Sequence, residues 1–238
     1  MKILGIVGGI GPESTIDYYQ ALIAGWRART ADNSYPPMVI DSIDLTRLRG
    51  YFEVGDNASA TEYLVEEVER LARSGAGMAI LAANTAHLVF DPVAARSRIP
   101  MISIVEATAD EVLRLGMKRV GLLGTRYTMK GPIYPDVLGL RGLAVALPAD
   151  DDIEVVHQAY FEELVPGIFL PETRARFMAI IDRMQARDAI EGVILGGTEL
   201  PLLFKDGGAT SVPLLDTTRI HVARILDAML DGAPGESR

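Results

Sequence analysis

The sequence predicts an α/β fold built from two similar halves, and three observations support this. Short apolar, β-branched runs alternate with longer segments of helical period, which is typical of parallel strands covered by helices. The 238 residues are 49% hydrophobic, which is enough to bury a core in each half. Short motifs also recur at offsets of 116, 114 and 113 residues, pairing Gly8 with Gly124, Ala83 with Gly197, and Pro100 with Pro213. We therefore expect two pseudo-symmetric domains, each with a parallel sheet flanked by helices, and an active cleft between them.

The individual elements follow from the same patterns. Strands are predicted at the apolar runs, residues 3–7, 38–43, 78–82, 101–104, 120–123, 144–147, 193–195 and 214–215. A first helix begins at Pro12, with Ile16, Tyr19, Ile23 and Trp26 repeating along one face. Further helices are predicted at residues 62–74, 105–115, 150–164, 172–187 and 218–230. We divide the chain into a first domain, residues 1–98 plus 208–238, and a second domain, residues 99–207.

Composition excludes several classes of function. With 23 Lys and Arg against 32 Asp and Glu, the net charge of −9 disfavours binding to nucleic acid or to an anionic membrane surface. No apolar run approaches a membrane span or a secretory signal, so we expect a cytoplasmic protein. The absence of cysteine excludes disulfides, thiolate metal sites and thiol catalysis. The three histidines, His87, His157 and His221, are not at metal-ligand spacing, so no metal is expected.

A glycine-rich turn follows the first strand and opens the first helix. The backbone N–H groups of Gly9, Ile10 and Gly11 could hold a carboxylate or a phosphate at the positive end of that helix. The turn lacks the GxGxxG spacing, which disfavours a dinucleotide. The alternative is a tight turn without a ligand role.

The corresponding turn of the second half is richer in hydrogen-bond donors. Thr125 and Thr128 supply hydroxyls, Tyr127 lies between them, and Arg126 adds a guanidinium. This combination favours recognition of an anion or a carboxylate. The alternative is a surface turn in which threonine caps a helix.

Polar residues also follow a later strand in each half. Asn84 and Thr85 could donate to a ligand carboxylate or serve as helix caps, and Thr198 and Glu199 hold the matching place in the second half. His87 lies close to the first of these loops. Its alternative interpretation is a buried helix residue bonded to the backbone.

Taken together, these loops resemble those of the aspartate/glutamate racemase family, the amino-acid racemases that work without pyridoxal phosphate. The resemblance covers nearly the whole chain and rests on residues 8–13 with 17–19, 84–87, 99–100, 123–129 and 197–200. It implies two pseudo-symmetric α/β domains with a small amino acid or carboxylic acid bound between them, no cofactor, a cytoplasmic location and a homodimer.

The resemblance also implies two catalytic positions. In the family, the residues just before Asn-Thr and just before Thr-Glu are typically cysteines that face opposite sides of the substrate Cα, and they remove and return its proton. Those positions are Ala83 and Gly197 here. Neither side chain can carry a proton, so the reaction with two thiols is excluded.

Three explanations remain open. The protein could perform an isomerase-like or lyase-like reaction with other groups, for which Thr85, His87 and Glu199 are the main candidates by motif, followed by Tyr127 and Thr198. It could be an inactive homologue that senses a ligand. The small residues at 83 and 197 could also widen the cleft for a bulkier ligand.

Two arginines complete the set of candidate substrate contacts. Arg47 and Arg49 follow the second strand, where the family often has a mobile loop that reaches the substrate. Either guanidinium could hold a distal carboxylate, and the alternative is solvated surface charge.

Overall fold

The computed structural model describes residues 2–30, 34–205 and 210–231. Its strands are β1 (Leu4–Gly8), β2 (Met38–Ser42), β3 (Met78–Leu81), β4 (Arg119–Gly124), β5 (Ala144–Ala146), β6 (Gly192–Gly196) and β7 (Leu214–Asp216). Its α-helices are α1 (Pro12–Arg29), α2 (Leu45–Glu53), α3 (Asn57–Arg73), α4 (Phe90–Arg96), α5 (Ile104–Arg114), α6 (Arg126–Lys130), α7 (Ile133–Gly139), α8 (Asp150–Ala159), α9 (Pro171–Asp188), α10 (Leu200–Phe204) and α11 (Thr217–Leu230). A 3₁₀ turn covers Thr85–Val89 and a π-helical turn covers Tyr160–Leu164.

The strands form two parallel sheets, which confirms the predicted fold class. The first sheet has the order β2-β1-β3 and the second has the order β5-β4-β6-β7. The central strands β1 and β6 are buried along their whole length. That burial explains why these strands read as unbroken apolar runs rather than as alternating patterns, because helices cover both faces of such sheets.

The described chain separates into two compact units. One contains Met1–Ala82, Val89–Ser103 and His221–Arg238, and the other contains Ala83–Leu88 and Ile104–Ile220, each considered for its described residues. The division drawn from the sequence differs from this one in three places. Residues 83–88 belong to the second unit and residues 99–103 to the first. Residues 210–220 belong to the second unit, because β7 pairs with β6 in the second sheet. The predicted boundary between 207 and 208 lies outside the described residues.

Each unit has its own apolar core. In the first unit, strand residues such as Ile6 and Ile80 pack with Leu22, Trp26 and Ile225 from the helices. In the second unit, the core includes Leu122, Ile194, Phe177 and Tyr160. Within the described residues, none of the helices has both the length and the apolar character required to cross a bilayer.

The predicted strand at residues 101–104 and the predicted buried face of α1 were both wrong. Residues 101–104 form no strand, because pairing stops after a single bridge between Ala79 and Met101 and α5 begins at Ile104. In α1, the predicted face is also wrong, since Ile16 and Tyr19 are 51% and 46% exposed. The buried face of α1 instead carries Ser14, Asp17, Tyr18, Ala21, Leu22 and Trp26. Because Ser14 and Asp17 are polar, the pattern of apolar residues did not identify the buried face of α1.

A buried carboxyl group in the first unit is sensitive to pH. Glu67 on α3 is only 3% exposed and contacts Arg70, which also bonds Asp41 at 2.9 Å. Burial, assisted by a hydrogen bond with Asp41, raises the pKa of Glu67 to about 7. The folded protein therefore retains a proton at Glu67 that the unfolded chain releases at lower pH.

We expect Glu67→Gln to remove this pH dependence. The stabilisation from a raised pKa is complete below the unfolded value near 4.5 and is lost as pH rises through about 7. Glutamine imitates the protonated carboxyl group. Relative to the unmodified protein, the free energy of unfolding of the variant should rise by about 2–3 kcal/mol between pH 5 and pH 8, measured by urea denaturation.

Glu13→Gln is the matched control, because Glu13 is exposed on α1, and it should leave the pH dependence unchanged. A difference between Glu67→Gln and the unmodified protein that does not vary with pH would contradict this assignment.

Candidate active site

Three threonine hydroxyls meet in the second unit. Thr85 Oγ1 lies 3.0 Å from Thr125 Oγ1 and 3.1 Å from Thr128 Oγ1, and the last two are 3.2 Å apart. Thr125 is also the N-cap of α6, where its hydroxyl accepts the backbone N–H of Thr128 at 3.2 Å. Thr125 and Thr128 are buried, whereas Thr85 is half-buried. Two candidate loops that are 40 residues apart in sequence are thus joined by one cluster, which we call the hydroxyl triad.

Asn84 is held rigidly beside this triad. Its Oδ1 accepts the hydroxyl of Tyr134 at 2.6 Å, and its Nδ2 donates to Thr217 Oγ1 at 3.1 Å. Thr217 in turn donates to the carbonyl of Leu195 in β6 at 2.8 Å. This chain of bonds fixes the carboxamide of Asn84 and, through it, the start of the Thr85 turn.

His87 is a buried structural residue in this geometry. Its Nε2 accepts the backbone N–H of Ile104 at 3.2 Å, so the ring proton is on Nδ1, which donates to the carbonyl of Ala83 at 2.9 Å. The imidazole thereby satisfies the first N–H of α5, a group that has no partner within its own helix. Burial lowers the pKa of His87 to about 4. The alternative interpretation, a buried histidine bonded to backbone, describes this arrangement.

Position 197 is filled by a neighbouring ring. A Cβ built on Gly197 would lie 2.5 Å from Cε2 and 2.7 Å from the hydroxyl oxygen of Tyr160. These separations are shorter than any ordinary carbon contact. The glycine at 197 therefore does not widen this side of the site, because the Tyr160 side chain takes the space.

Tyr160 and Glu199 form a buried pair next to Gly197. The Tyr160 hydroxyl donates to Glu199 Oε2, and Thr198 Oγ1 donates to the same oxygen at 3.2 Å. Glu199 is 1% exposed and Tyr160 is 6% exposed. Burial and the nearby Glu199 carboxylate raise the pKa of Tyr160 well above its ordinary value. The phenol is therefore protonated at neutral pH and donates a hydrogen bond to Glu199.

The local backbone that positions Tyr160 was not predicted. A single helix was expected over residues 150–164, but α8 ends at Ala159 and the chain continues as a π-helical turn. The N–H of Val165 bonds to the carbonyl of Tyr160 at 2.9 Å, an i to i−5 bond that widens the helix. Sequence reasoning missed Tyr160 because its contact with Gly197 is long-range. The available signal was a bulky aromatic residue near the end of the helix predicted over residues 150–164.

Aromatic side chains extend from this turn toward the hydroxyl triad. The ring of Phe161 packs edge-to-face on His157 at 5.1 Å between centroids, and His157 packs in the same way on Tyr127 at 5.6 Å. His157 Nδ1 also accepts the backbone N–H of Arg126 at 3.2 Å. The Arg126 guanidinium pairs with Glu154 at 2.7 Å, so this positive charge is already partnered.

The remaining predicted ligand contacts lie in the first unit, namely Gly9, Ile10, Gly11, Arg47 and Arg49. Gly9 and Gly11 have positive φ angles of 76° and 89°, which glycine adopts without strain, and Ile10 between them is buried. The Gly9 N–H donates to Thr15 Oγ1 at 2.8 Å. This amide is satisfied within the turn itself.

The prediction of a loop at Arg47 and Arg49 was wrong, since both lie on α2, which begins after the N-cap Asp44. Arg49 Nε bonds Glu53 at 2.6 Å. Arg47 donates to Tyr51 at 3.0 Å and its guanidinium lies 4.3 Å from the Tyr63 ring centroid. Helical i,i+4 pairs and stacking account for the positions of both side chains.

We expect His87 to stay neutral through the whole physiological range. At pH 6 its ring should carry a proton on Nδ1 and none on Nε2, which ¹⁵N NMR of the imidazole distinguishes. Because its pKa is lowered, neutral His87 stabilises the folded protein fully above the unfolded value near 6.5, and this stabilisation is lost as pH falls toward 4. The free energy of unfolding should therefore fall by up to about 3 kcal/mol over that range through this residue. Protonation with a midpoint above pH 6 would disprove the assignment.

We expect Gly197→Ala to destabilise the second unit by about 1–3 kcal/mol, because the new methyl group overlaps the Tyr160 ring. The control is Gly139→Ala in α7, where an added Cβ meets no atom within 4 Å. That control should be neutral or slightly stabilising. Thermal and urea unfolding measure both variants, and equal stabilities for the two would show that the ring does not occupy this space.

Comparison with known proteins confirms the resemblance. The sequence profile of the Asp/Glu/Hydantoin racemase family matches residues 7–225. The chain is 29% identical over 231 residues to the broad specificity amino-acid racemase RacX of Bacillus subtilis (strain 168), covering 91% of this chain and 93% of that protein.

Solved structures agree with this assignment. An aspartate racemase homologue from Pyrococcus horikoshii OT3 superposes with a TM-score of 0.82 at 36% identity, covering 97% of this chain and all of the other. The aspartate racemase of Picrophilus torridus shares the fold, with a TM-score of 0.73 at 22% identity over 96% of this chain and 94% of the other. The profile match over residues 7–225, together with a parallel sheet in each half, makes this protein a member of the Asp/Glu/hydantoin racemase family.

Proposed function

We propose that this protein binds a small amino acid or carboxylic acid and performs isomerase-like or lyase-like proton chemistry on it, without a cofactor and without the two thiols. The ligand would lie in the cleft expected between the two domains. The broad specificity amino-acid racemase of Bacillus subtilis supports this class of ligand, because it is related along nearly its full length. We also propose that the protein is a cytoplasmic homodimer, as the family resemblance implies.

The hydroxyl triad is the observation that carries the proposal. Each threonine has one hydroxyl proton, and the three oxygens lie within 3.2 Å of one another. A carboxylate accepts such protons more strongly than a neighbouring hydroxyl does, because a bond to a charged acceptor is shorter and stronger. Thr85 is the most exposed of the three, so it is the member that a ligand would meet first.

The residues around the triad favour a preorganised site. Asn84 is fixed by Tyr134 and Thr217, and His87 anchors the same turn to α5. A site whose donors are held before the ligand arrives loses less entropy on binding. In this proposal His87 positions the turn and does not transfer protons, because both of its ring nitrogens bond to backbone.

The other predicted contacts remain part of the proposal. Gly9, Ile10 and Gly11 would present backbone atoms to the ligand, and Arg47 or Arg49 would reach a second carboxylate. Tyr127, Thr198 and Glu199 would complete the contacts from the second unit. By the family resemblance, Ala83 and Gly197 would occupy the places of the thiols, so in this proposal another group carries the proton.

Titration with D- and L-aspartate and D- and L-glutamate tests the ligand class. We expect at least one of these acids to bind and to raise the melting temperature, and Thr85→Val to weaken that binding about tenfold or more, measured by calorimetry. Valine keeps the shape of threonine and removes only the hydroxyl.

Thr61→Val is the control, because Thr61 is a buried threonine on α3 whose hydroxyl bonds only locally, to the carbonyl of Asn57 at 2.7 Å. It should bind like the unmodified protein. No binding of any acid at millimolar concentration, or equal effects of the two variants, would refute the proposed ligand site.

A further inference from the structure

The Tyr160 hydroxyl lies where a side chain at position 197 would begin. A Cβ built on residue 197 would lie 2.7 Å from the hydroxyl oxygen of Tyr160. It would lie 2.5 Å from the ring carbon Cε2 and 2.9 Å from the ring carbon Cζ. Gly197 is therefore required for Tyr160 to enter this space. The combination places a group with a dissociable proton at a position whose own residue has none.

The carboxylate of Glu199 is bonded directly to this hydroxyl. Glu199 Oε2 accepts both from Tyr160 and from Thr198, so one oxygen receives two hydroxyl donors. Both members of the pair are almost completely buried, which shields the exchange of a proton between them from bulk water. A phenol alone is a weak base, whereas a phenol whose proton can pass to a carboxylate can accept another proton in the same step.

We propose that Tyr160 is a catalytic residue that exchanges the α-proton of the substrate, with Glu199 as the positioning residue that takes up and returns the phenol proton. This inference rests on the proposed function, because it assumes that an amino acid or carboxylic acid binds at the site.

Two protons move in the same step. The phenol oxygen forms a bond to the α-proton while the Cα–H bond breaks and leaves its electron pair on the substrate as a carbanion. The original phenol proton moves to Glu199, which becomes a neutral carboxylic acid. Tyr160 ends as a phenol again, and the negative charge has moved from Glu199 to the substrate. The reverse step returns a proton to Cα, and no oxidant, reductant or cofactor is required.

The resting state of the pair agrees with this direction of transfer. Burial and the carboxylate keep the pKa of Tyr160 high, so the residue rests as a phenol and can donate a proton. A free phenolate is never required, because Glu199 accepts the phenol proton during the step.

The proposal also predicts which stereochemical outcome to expect. The methyl group of Ala83 has no dissociable proton. Tyr160 therefore serves one face of the substrate, and the proton returns to the face that it left. The reaction class is exchange of the α-proton with retention of configuration, for one enantiomer only.

Proton exchange in deuterated water tests this inference. D- and L-aspartate and D- and L-glutamate are incubated separately with the full-length protein, Cα–H loss is followed by NMR, and enantiomers are separated by chiral chromatography. We expect exchange in one enantiomer without interconversion. Tyr160→Phe should lower the exchange rate at saturating substrate by at least about 100-fold while binding changes less than about threefold. Phenylalanine keeps the ring that fills the space at Gly197, and Glu199→Gln should also slow exchange.

Tyr18→Phe is the matched control. Tyr18 is likewise a buried tyrosine whose hydroxyl has a side-chain partner, His221 Nδ1 at 2.8 Å, but it belongs to the first unit. Its removal should leave the exchange rate unchanged. Ala83→Cys provides a second test, in a protein whose Tyr160 side chain is unchanged. The added thiol should create interconversion of enantiomers, and the double variant Ala83→Cys/Tyr160→Phe should lose it.

The outcomes separate the two proposals. Binding without exchange in the unmodified protein, exchange that survives Tyr160→Phe, or interconversion by the unmodified protein would each overturn the role of Tyr160 and leave the ligand class standing. Failure of every acid to bind would overturn the proposed function, and this inference with it.

Discussion

The contact between Gly197 and Tyr160 is the constraint on which the interpretation of the second unit depends. A side chain at 197 and the ring of Tyr160 cannot occupy the same volume, so the two residues have to be considered together. Within the family pattern, Gly197 alone would indicate a lost catalytic group. With Tyr160 in place, the position holds a phenol bonded to a carboxylate. The position is therefore occupied by a side chain with a dissociable proton, although residue 197 itself has none.

The surrounding structure keeps the turn that carries Thr85 in a fixed position. Bonds from Tyr134, through Asn84 and Thr217, to the backbone of β6 connect the Thr85 turn to the second sheet. His87 joins the same turn to the first residue of α5. These buried polar groups have specific partners, and a network that is satisfied in this way gives a unique arrangement. Such rigidity suits a site whose donors must meet a carboxylate in a defined orientation.

The π-helical turn shows why local patterns were insufficient near the site. The apolar spacing of residues 150–164 is compatible with one continuous helix, and the structure departs from it only at Tyr160. The extra residue per turn changes the direction of the side chain. Similarly, α2 was not recognised, because its exposed Arg47 and Arg49 give the polar appearance of a loop. At Tyr160 the deciding contact, with Gly197, lies outside the segment itself.

The sequence by itself determined the fold class, the repeat of two α/β halves, the positions of most strands and the family. These properties depend on periodicity, turn residues and motifs that are local in the chain. It also determined that residues 83 and 197 carry no thiol. Only the tertiary structure decided that Tyr160 fills the space beside Gly197, that His87 bonds to the backbone, and that Thr85 meets Thr125 and Thr128. Those facts are contacts between distant segments, and they arise only when close packing decides which side chains share a volume.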